Sequence, residues 1–292
     1  MNVRRVLLSA AVCTLTITGT APAQQSKASG APTYNAALTK LREGKQVMCA
    51  SLSSPEPDAY CAVANSGVDC IWIEMQHSTL TYYQVGEMIG RCGKSKAAPM
   101  IRVPDALEGD IQKATDLGAL GIIVPTVDTV EKAQNAVKWA KFPPTGRRSQ
   151  GGGQAGRIWD PANYRRTIND NMFMVIMIET PIGVDAADRI AAVPGIDVIF
   201  AASSDLGNFS GHPPQGDGRK GDAVYEALVT RIHDATLKAG VKLGGPFAWK
   251  DRAGFTFFQG PGLAAFVNAG APIVIQGGAP AGGGRGARAK AQ

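Results

Sequence analysis

Short apolar runs rich in Val and Ile recur along the chain from residue 33 to 277, at 46–52, 70–74, 99–103, 121–125, 173–179, 197–201, 241–246 and 272–276. Runs of this length without polar alternation predict strands buried on both faces, as in a parallel sheet. Amphipathic stretches separate most of them. In 129–141 the residues Val130, Ala133, Val137 and Ala140 share one helical face, while Glu131, Lys132 and Lys138 fall elsewhere. In 225–239 a second helix is closed by Gly240 as its first post-helical residue. Eight strands alternating with helices over about 245 residues predict a (β/α)8 TIM barrel. A doubly wound open sheet is the other arrangement with this alternation, and strand count and length favour the barrel.

The ends read differently. Arg4 and Arg5, the apolar run from Val6 to Ile17, and Ala21-Pro22-Ala23 before Gln24 follow the order of a secretory signal, so residues 1–23 are expected to be removed on export to the periplasm or outside the cell. Residues 24–36 read as a linker, 37–276 as the barrel domain, and 277–292 as a flexible Gly/Ala/Arg tail without periodicity. The apolar run is too short for a bilayer span, which needs about 20 residues, so no integral membrane segment is expected in the mature chain.

Composition narrows the partners. Of 292 residues 45% are hydrophobic and 18% charged, enough for a large core. The formal charge of +6 comes mostly from the ends, because Arg4, Arg5, Arg285, Arg288 and Lys290 lie there. The body is near neutral and lacks the basic footprint of a nucleic-acid binder. Beyond the signal the cysteines are Cys49, Cys61, Cys70 and Cys92. Their spacing matches no zinc pattern, and an exported chain can oxidise them. Free thiols and three pairings stay open. On a barrel, Cys61 and Cys92 fall on neighbouring helices that a bridge can join, whereas a Cys49–Cys70 bridge between adjacent strands is expected to strain the ladder.

A barrel collects its chemistry where strands end. Polar residues follow four of the runs: Glu74, Gln76 and His77 after the second, Arg102 at the end of the third, Glu179 after the fifth, and Ser204 with Asp205 after the sixth. Acids from neighbouring strands suit one hard cation, and Mg²⁺ takes one or two carboxylates and leaves its other positions to water and substrate. Each has a plainer reading as well: Arg102 as an ion-pair partner of Glu74, His77 as a loop or cap residue, Glu179 and Asp205 as caps. The Gly-rich stretch 142–172 is long for a loop and offers backbone N–H groups at Gly151, Gly152 and Gly153 to an anion. His212 and His233 read as surface residues.

The segments Asp69-Cys70-Ile71-Trp72-Ile73-Glu74-Met75-Gln76-His77, Arg102-Val103-Pro104, Asp116-Leu117-Gly118-Ala119, Phe142-Pro143-Pro144-Thr145-Gly146-Arg147-Arg148, Ile178-Glu179-Thr180 and Ser204-Asp205-Leu206 come in an order that resembles the HpcH/HpaI class II aldolases. The resemblance covers about residues 37–276. It implies a metal-dependent carbon–carbon lyase working through a pyruvate enolate, with Mg²⁺, Mn²⁺ or Co²⁺ held by Glu179 and Asp205. It makes His77 the base, oriented by Glu74, and Arg102 the group that binds the keto oxygen. Ser204, Asp205, Gly152 and Gly153 contact substrate, and Asp116 is an acid contributed across a subunit interface of a trimer or hexamer. The expected ligands are 2-oxo acids and aldehydes. The chain departs from the family pattern at Gln76 (usually Glu), at Met177 (usually polar), at Ala202-Ser203-Ser204 (usually Gly-Pro-Ala) and at Gly151–Gln154. Two other readings share the fold: an acyl-CoA lyase of the citrate-lyase or malyl-CoA-lyase kind, and an exported barrel that binds an organic acid without turnover.

Overall fold

The computed structural model describes residues 32–151, 153–215 and 220–269. Eight parallel strands close on themselves in sequence order. They are β1 (Val47–Leu52), β2 (Cys70–Glu74), β3 (Ala98–Arg102), β4 (Gly121–Val124), β5 (Phe173–Ile178), β6 (Val198–Ala201), β7 (Lys242–Pro246) and β8 (Phe255–Gly262). Helices return the chain outside the barrel, as the alternation predicted. Among the described residues no helix is long and apolar enough to cross a membrane.

Seven strands lie where the apolar runs placed them. The eighth does not. It is Phe255–Gly262, paired in parallel with both β1 and β7, and the 272–276 run lies outside the described residues. Phe255-Thr256-Phe257-Phe258 is good strand sequence, but Gly254 before it and Gly260-Pro261-Gly262 after it read as turns. Closure decides the matter, because β1 and β7 would otherwise each expose an unpaired edge. The linker expected at 24–36 also ends earlier. Asn35 is fully buried, caps the Ala36–Arg42 helix by accepting from the Leu38 N–H, and donates to the Leu120 and Asn171 carbonyls. The signal, the start of the linker and the 277–292 tail lie outside the described residues.

The barrel interior is a stack. Trp72, Phe200, Phe257 and Phe173 meet across it with ring centroids 5.2–6.5 Å apart. Side chains two apart on a strand share a face, so Cys70 points inward below Trp72, and Glu74 inward above it. Cys49 is the register partner of Cys70, and the two form a disulfide with Cα atoms 4.3 Å apart. The expected strain on the ladder does not materialise: β1 and β2 stay paired from Cys49↔Cys70 to Leu52↔Ile73, since two inward side chains at one register level already stand side by side. A second disulfide joins Cys61 in the Pro57–Ala64 helix to Cys92 at the end of the Tyr82–Arg91 helix, as the barrel geometry suggested. The bridges close loops with separations of 21 and 31 residues, each worth about 3 kcal/mol on a chain-entropy basis. Full reduction is expected to lower the thermal midpoint by roughly 10 °C in a scanning calorimeter. An unchanged midpoint would show that the bridges do not constrain the unfolded chain.

Candidate active site

The strand ends bring Glu74, Arg102, Glu179 and Asp205 to one rim, with His77 on the bend after β2. Glu74 is the structural centre of this rim. One carboxylate oxygen accepts from Trp72 Nε1 at 3.2 Å and from Arg102, whose Nε lies 2.5 Å away and whose second nitrogen also pairs with it. The other accepts the backbone N–H groups of Gln76 and His77 at 2.8 and 2.9 Å. Glu74 and Arg102 are both buried, β2 and β3 pair them directly in register, and Arg102 lies 5.6 Å above the Trp72 ring. The ion-pair reading of Arg102 is therefore correct, and it leaves the guanidinium facing the cavity. Glu74 positions His77 through its backbone rather than its ring. The His77 residue is exposed, and its ring has no hydrogen-bond or ion-pair partner among the described residues.

Glu179 follows β5 and is 1% exposed. One carboxylate oxygen takes two donors from Thr126, the backbone N–H at 2.5 Å and the hydroxyl at 2.8 Å, while the other oxygen is buried without a partner. Thr126 reaches this position with φ +48°, a left-handed conformation that costs a threonine on the order of 1–3 kcal/mol. Burial pushes the Glu179 carboxyl above the usual carboxylate range and the nearby Asp205 charge adds to this; the Thr126 donors and Arg102 pull it back. Asp205 stands in the first turn of the Ser203–Ser210 helix after β6. Among the described residues no three His, Cys, Asp or Glu side chains converge on one point. Two carboxylates with an orphaned buried oxygen still fit a hard cation that takes its remaining ligands from water and substrate. Thr126→Ala removes one donor from Glu179 and is expected to weaken divalent-metal binding about fivefold by calorimetry; unchanged affinity would show that Thr126 does not orient the carboxylate.

A cavity of about 180 Å³ opens at this end of the barrel, lined by Arg102, Met177, Phe200, the Ala202–Asp205 turn, Pro246 and Gln259. Its size suits a three- or four-carbon acid. Ser204 lies on it as expected, beside Asp205. Gln259 on β8 and Thr126 after β4 escaped the sequence reading. Gln259 sat outside the expected strands, and nothing in Pro125-Thr126 marks a left-handed threonine.

Gly153, expected to contact substrate, is not brought to this rim, and Asp116, expected to act across a subunit interface, is not at its own. Asp116 ends the Glu108–Asp116 helix, at the opposite end of the barrel, and pairs with the fully buried Arg148 side chain at 2.8 Å. Gly153 opens the Gly153–Trp159 helix within the 142–172 stretch, which connects a helix to the start of β5 and so also lies at the strand N-terminal end. There Gln154 donates to the Gly86 and Leu117 carbonyls and Trp159 to the Gly118 carbonyl. Chain polarity decides this: in a parallel barrel every helix-to-strand connection lies on the face away from the active site. Gly152 lies outside the described residues. His212 and His233 pair with Asp222 and Asp234 away from the cavity.

A closed parallel barrel thus gathers two acids from adjacent strand ends and an arginine at one rim, an arrangement that suits a barrel enzyme acting on a small anionic substrate. The chain belongs to the HpcH/HpaI aldolase/citrate lyase family, whose model matches residues 47–255. It is 29% identical over 215 residues to a hydroxypyruvate/pyruvate aldolase of Roseovarius nubinhibens, covering 72% of this chain and 82% of the relative. It is 30% identical over 208 residues to a 2-keto-3-deoxy-L-rhamnonate aldolase of Escherichia coli K12, covering 69% and 76%. A crystal structure of a family protein from Burkholderia cenocepacia superposes with a TM-score of 0.72 at 26% identity, covering 80% of this chain and 95% of that one. The protein is thus an enzyme, an aldolase of this family. The reading as a barrel without turnover is set aside.

Proposed function

We propose that this aldolase cleaves and forms aldols of pyruvate or a close 2-oxo acid with the help of a divalent cation held by Glu179 and Asp205. The observation that carries the reading is the buried, partnerless oxygen of Glu179 beside Asp205 and across from Arg102. When bound, Mg²⁺, Mn²⁺ or Co²⁺ supplies a Lewis acid that polarises the 2-oxo group. Arg102, preorganised by Glu74, faces the oxygen on which enolate charge develops; such fixed charges are worth several kcal/mol. The first turn of the Ser203–Ser210 helix presents backbone N–H groups to the substrate carboxylate, next to Ser204. His77 takes the proton from the aldol hydroxyl, the C3–C4 bond breaks, and its electron pair passes into the enolate, releasing an aldehyde. Among the described residues Arg102 is the one cation lining the cavity, which favours a free acid over an acyl-CoA thioester. Release of pyruvate from 4-hydroxy-2-oxo acids, followed with lactate dehydrogenase and NADH, tests the reading; no release with any of the three metals would end it.

Asp116 is turned away from its own rim, so its service to a site requires a second subunit. Exposed Tyr83, Leu107, Ile182 and Phe209 are consistent with a homo-oligomer, which light scattering checks. Export with cleavage near Gln24 is supported by the two disulfides, which persist in oxidising compartments. N-terminal sequencing of the exported protein checks it.

A further inference from the structure

The far end of the Tyr82–Arg91 helix carries groups that the aldol reaction does not use. This helix follows β2, so it runs from the catalytic rim to the opposite face of the barrel. Cys92 caps its end. Gly93 comes next, and its missing side chain lets Ile158 of the Gly153–Trp159 helix pack closely, since a Cβ on Gly93 would stand 2.8 Å from it. That approach brings Arg157 into one cavity wall with Cys92. Asn65, Arg91, Lys94 and Ser95 join them around a volume of about 470 Å³, within the size of small-molecule sites. Three of these side chains are cations, and among the described residues no acid lines the cavity. Arg91 reaches Asp58 only at 3.8 Å, with both side chains exposed. Lys94 and Arg157 have no ion-pair partner among the described residues.

The two disulfides differ in access. Cys49 and Cys70 are fully buried in the barrel interior, whereas Cys61 and Cys92 are only partly buried, and Cys92 lines the cavity. Thiol–disulfide exchange needs a path for an incoming thiolate, and cations beside the sulfur stabilise the negative charge it carries. A purely structural bridge needs neither. We infer that Cys92 is an S-thiolation site, at which the cavity takes an anionic low-molecular-weight thiol and passes it onto the Cys61–Cys92 bridge. The incoming thiolate attacks Cys92 Sγ and bonds to it. The Cys61–Cys92 bond breaks, its electron pair leaves on Cys61 Sγ, and Cys61 takes a proton from water. One disulfide and one thiol stand on each side of the exchange, so no other oxidant or reductant is needed. Attack by Cys61 on the mixed disulfide reverses it. The adduct unties the Pro57–Ala64 helix from the Tyr82–Arg91 helix and leaves the Cys49–Cys70 bridge closed.

The test compares thiols of opposite charge. The full chain with both bridges formed is treated with glutathione, which is anionic, or with cysteamine, which is cationic, then acid-quenched and mapped by mass spectrometry. Per thiolate, glutathione is expected to open the Cys61–Cys92 bridge about fivefold faster or more, with the excess falling as salt rises. Lys94→Gln combined with Arg157→Gln, both at exposed positions, is expected to slow glutathione about fivefold and cysteamine less than about twofold. Cys61→Ser removes the resolving thiol and so holds the adduct. Its Cys92 is expected to be thiolated by oxidised glutathione about fivefold faster than by cystamine, the oxidised form of cysteamine. Equal rates for the two thiols in the wild type, an adduct on Cys61 in place of Cys92, or earlier opening of Cys49–Cys70 would overturn the assignment. So would the absence of any adduct in both the wild type and Cys61→Ser.

Discussion

Chelation of divalent cations is expected to abolish pyruvate release, and Mg²⁺, Mn²⁺ or Co²⁺ to restore it. Glu179→Gln and Asp205→Asn are each expected to lower kcat/KM by about 10²-fold or more, because a neutral amide loses the charge that holds a hard cation and with it the Lewis acid. Glu179 gives the stronger test, since its second oxygen is already buried without a partner and its amide form gains nothing in exchange. The pH dependence follows from its environment. Burial first, and Asp205 second, hold the metal-free Glu179 carboxyl above its ordinary range. The cation binds the ionised form, so affinity is expected to rise with pH through that raised value and to release a proton on binding. The sign for stability is opposite. Without metal, the folded state holds the Glu179 proton more tightly than the unfolded state. Its contribution is therefore most favourable at low pH and falls as pH rises from the unfolded carboxylate value through the folded one. Asp105, Asp222 and Glu226 are shifted downward and work the other way, so the comparison that isolates Glu179 is wild type against Glu179→Gln, both metal-free. Calorimetric titration with Mn²⁺ at several pH values reads the first effect, and thermal melts across the same range read the second. Undiminished metal binding by both variants would remove these acids from the metal site.

His77→Ala is expected to lower turnover about 10²–10⁴-fold, the range for loss of a general acid–base. Metal affinity should change by less than about twofold, since no ligand is lost. The fold should also hold, because Glu74 grips the backbone N–H of residue 77 and alanine keeps it. Loss of the metal in His77→Ala would make His77 a ligand instead. The exposure of His77 adds a second readout. A base open to solvent is accessible to small imidazoles, so added imidazole is expected to restore part of the activity of His77→Ala and none of that of Glu179→Gln.

Much of the site was legible because a parallel barrel ties chemistry to chain position. Glu74, Arg102, Glu179 and Asp205 follow apolar runs, and a residue at the end of such a run lies at the rim whatever its neighbours are. The same logic located the Cys61–Cys92 bridge, since consecutive helices are neighbours. What failed was of a different kind. Gln259 was hidden because β8 was expected at 272–276, where β-branched residues make the better local signal. Gly153 was judged by composition, and composition does not say at which end of the barrel a loop lies. Gln76 and Met177 stood out as departures from a family pattern, and it took the cavity to show what Met177 contributes: an apolar part of its lining.

The sequence by itself determined the alternation of buried strands and amphipathic helices, and through it the barrel, since hydrophobic periodicity is local and eight parallel strands have few ways to bury both faces. It also determined which acids, arginine and histidine reach the rim. Only the tertiary structure decided which segment closes the sheet, because closure is a demand of β1 and β7 rather than a property of residues 255–262. Only it decided that Cys49 and Cys70 share a register level inside the barrel and that Thr126 turns left-handed to hold Glu179. The placement of Asp116 and Gly153 on the far face, and of Gln259 over the cavity, was decided there too. These depend on where distant parts of the chain meet, which no local pattern of residues encodes.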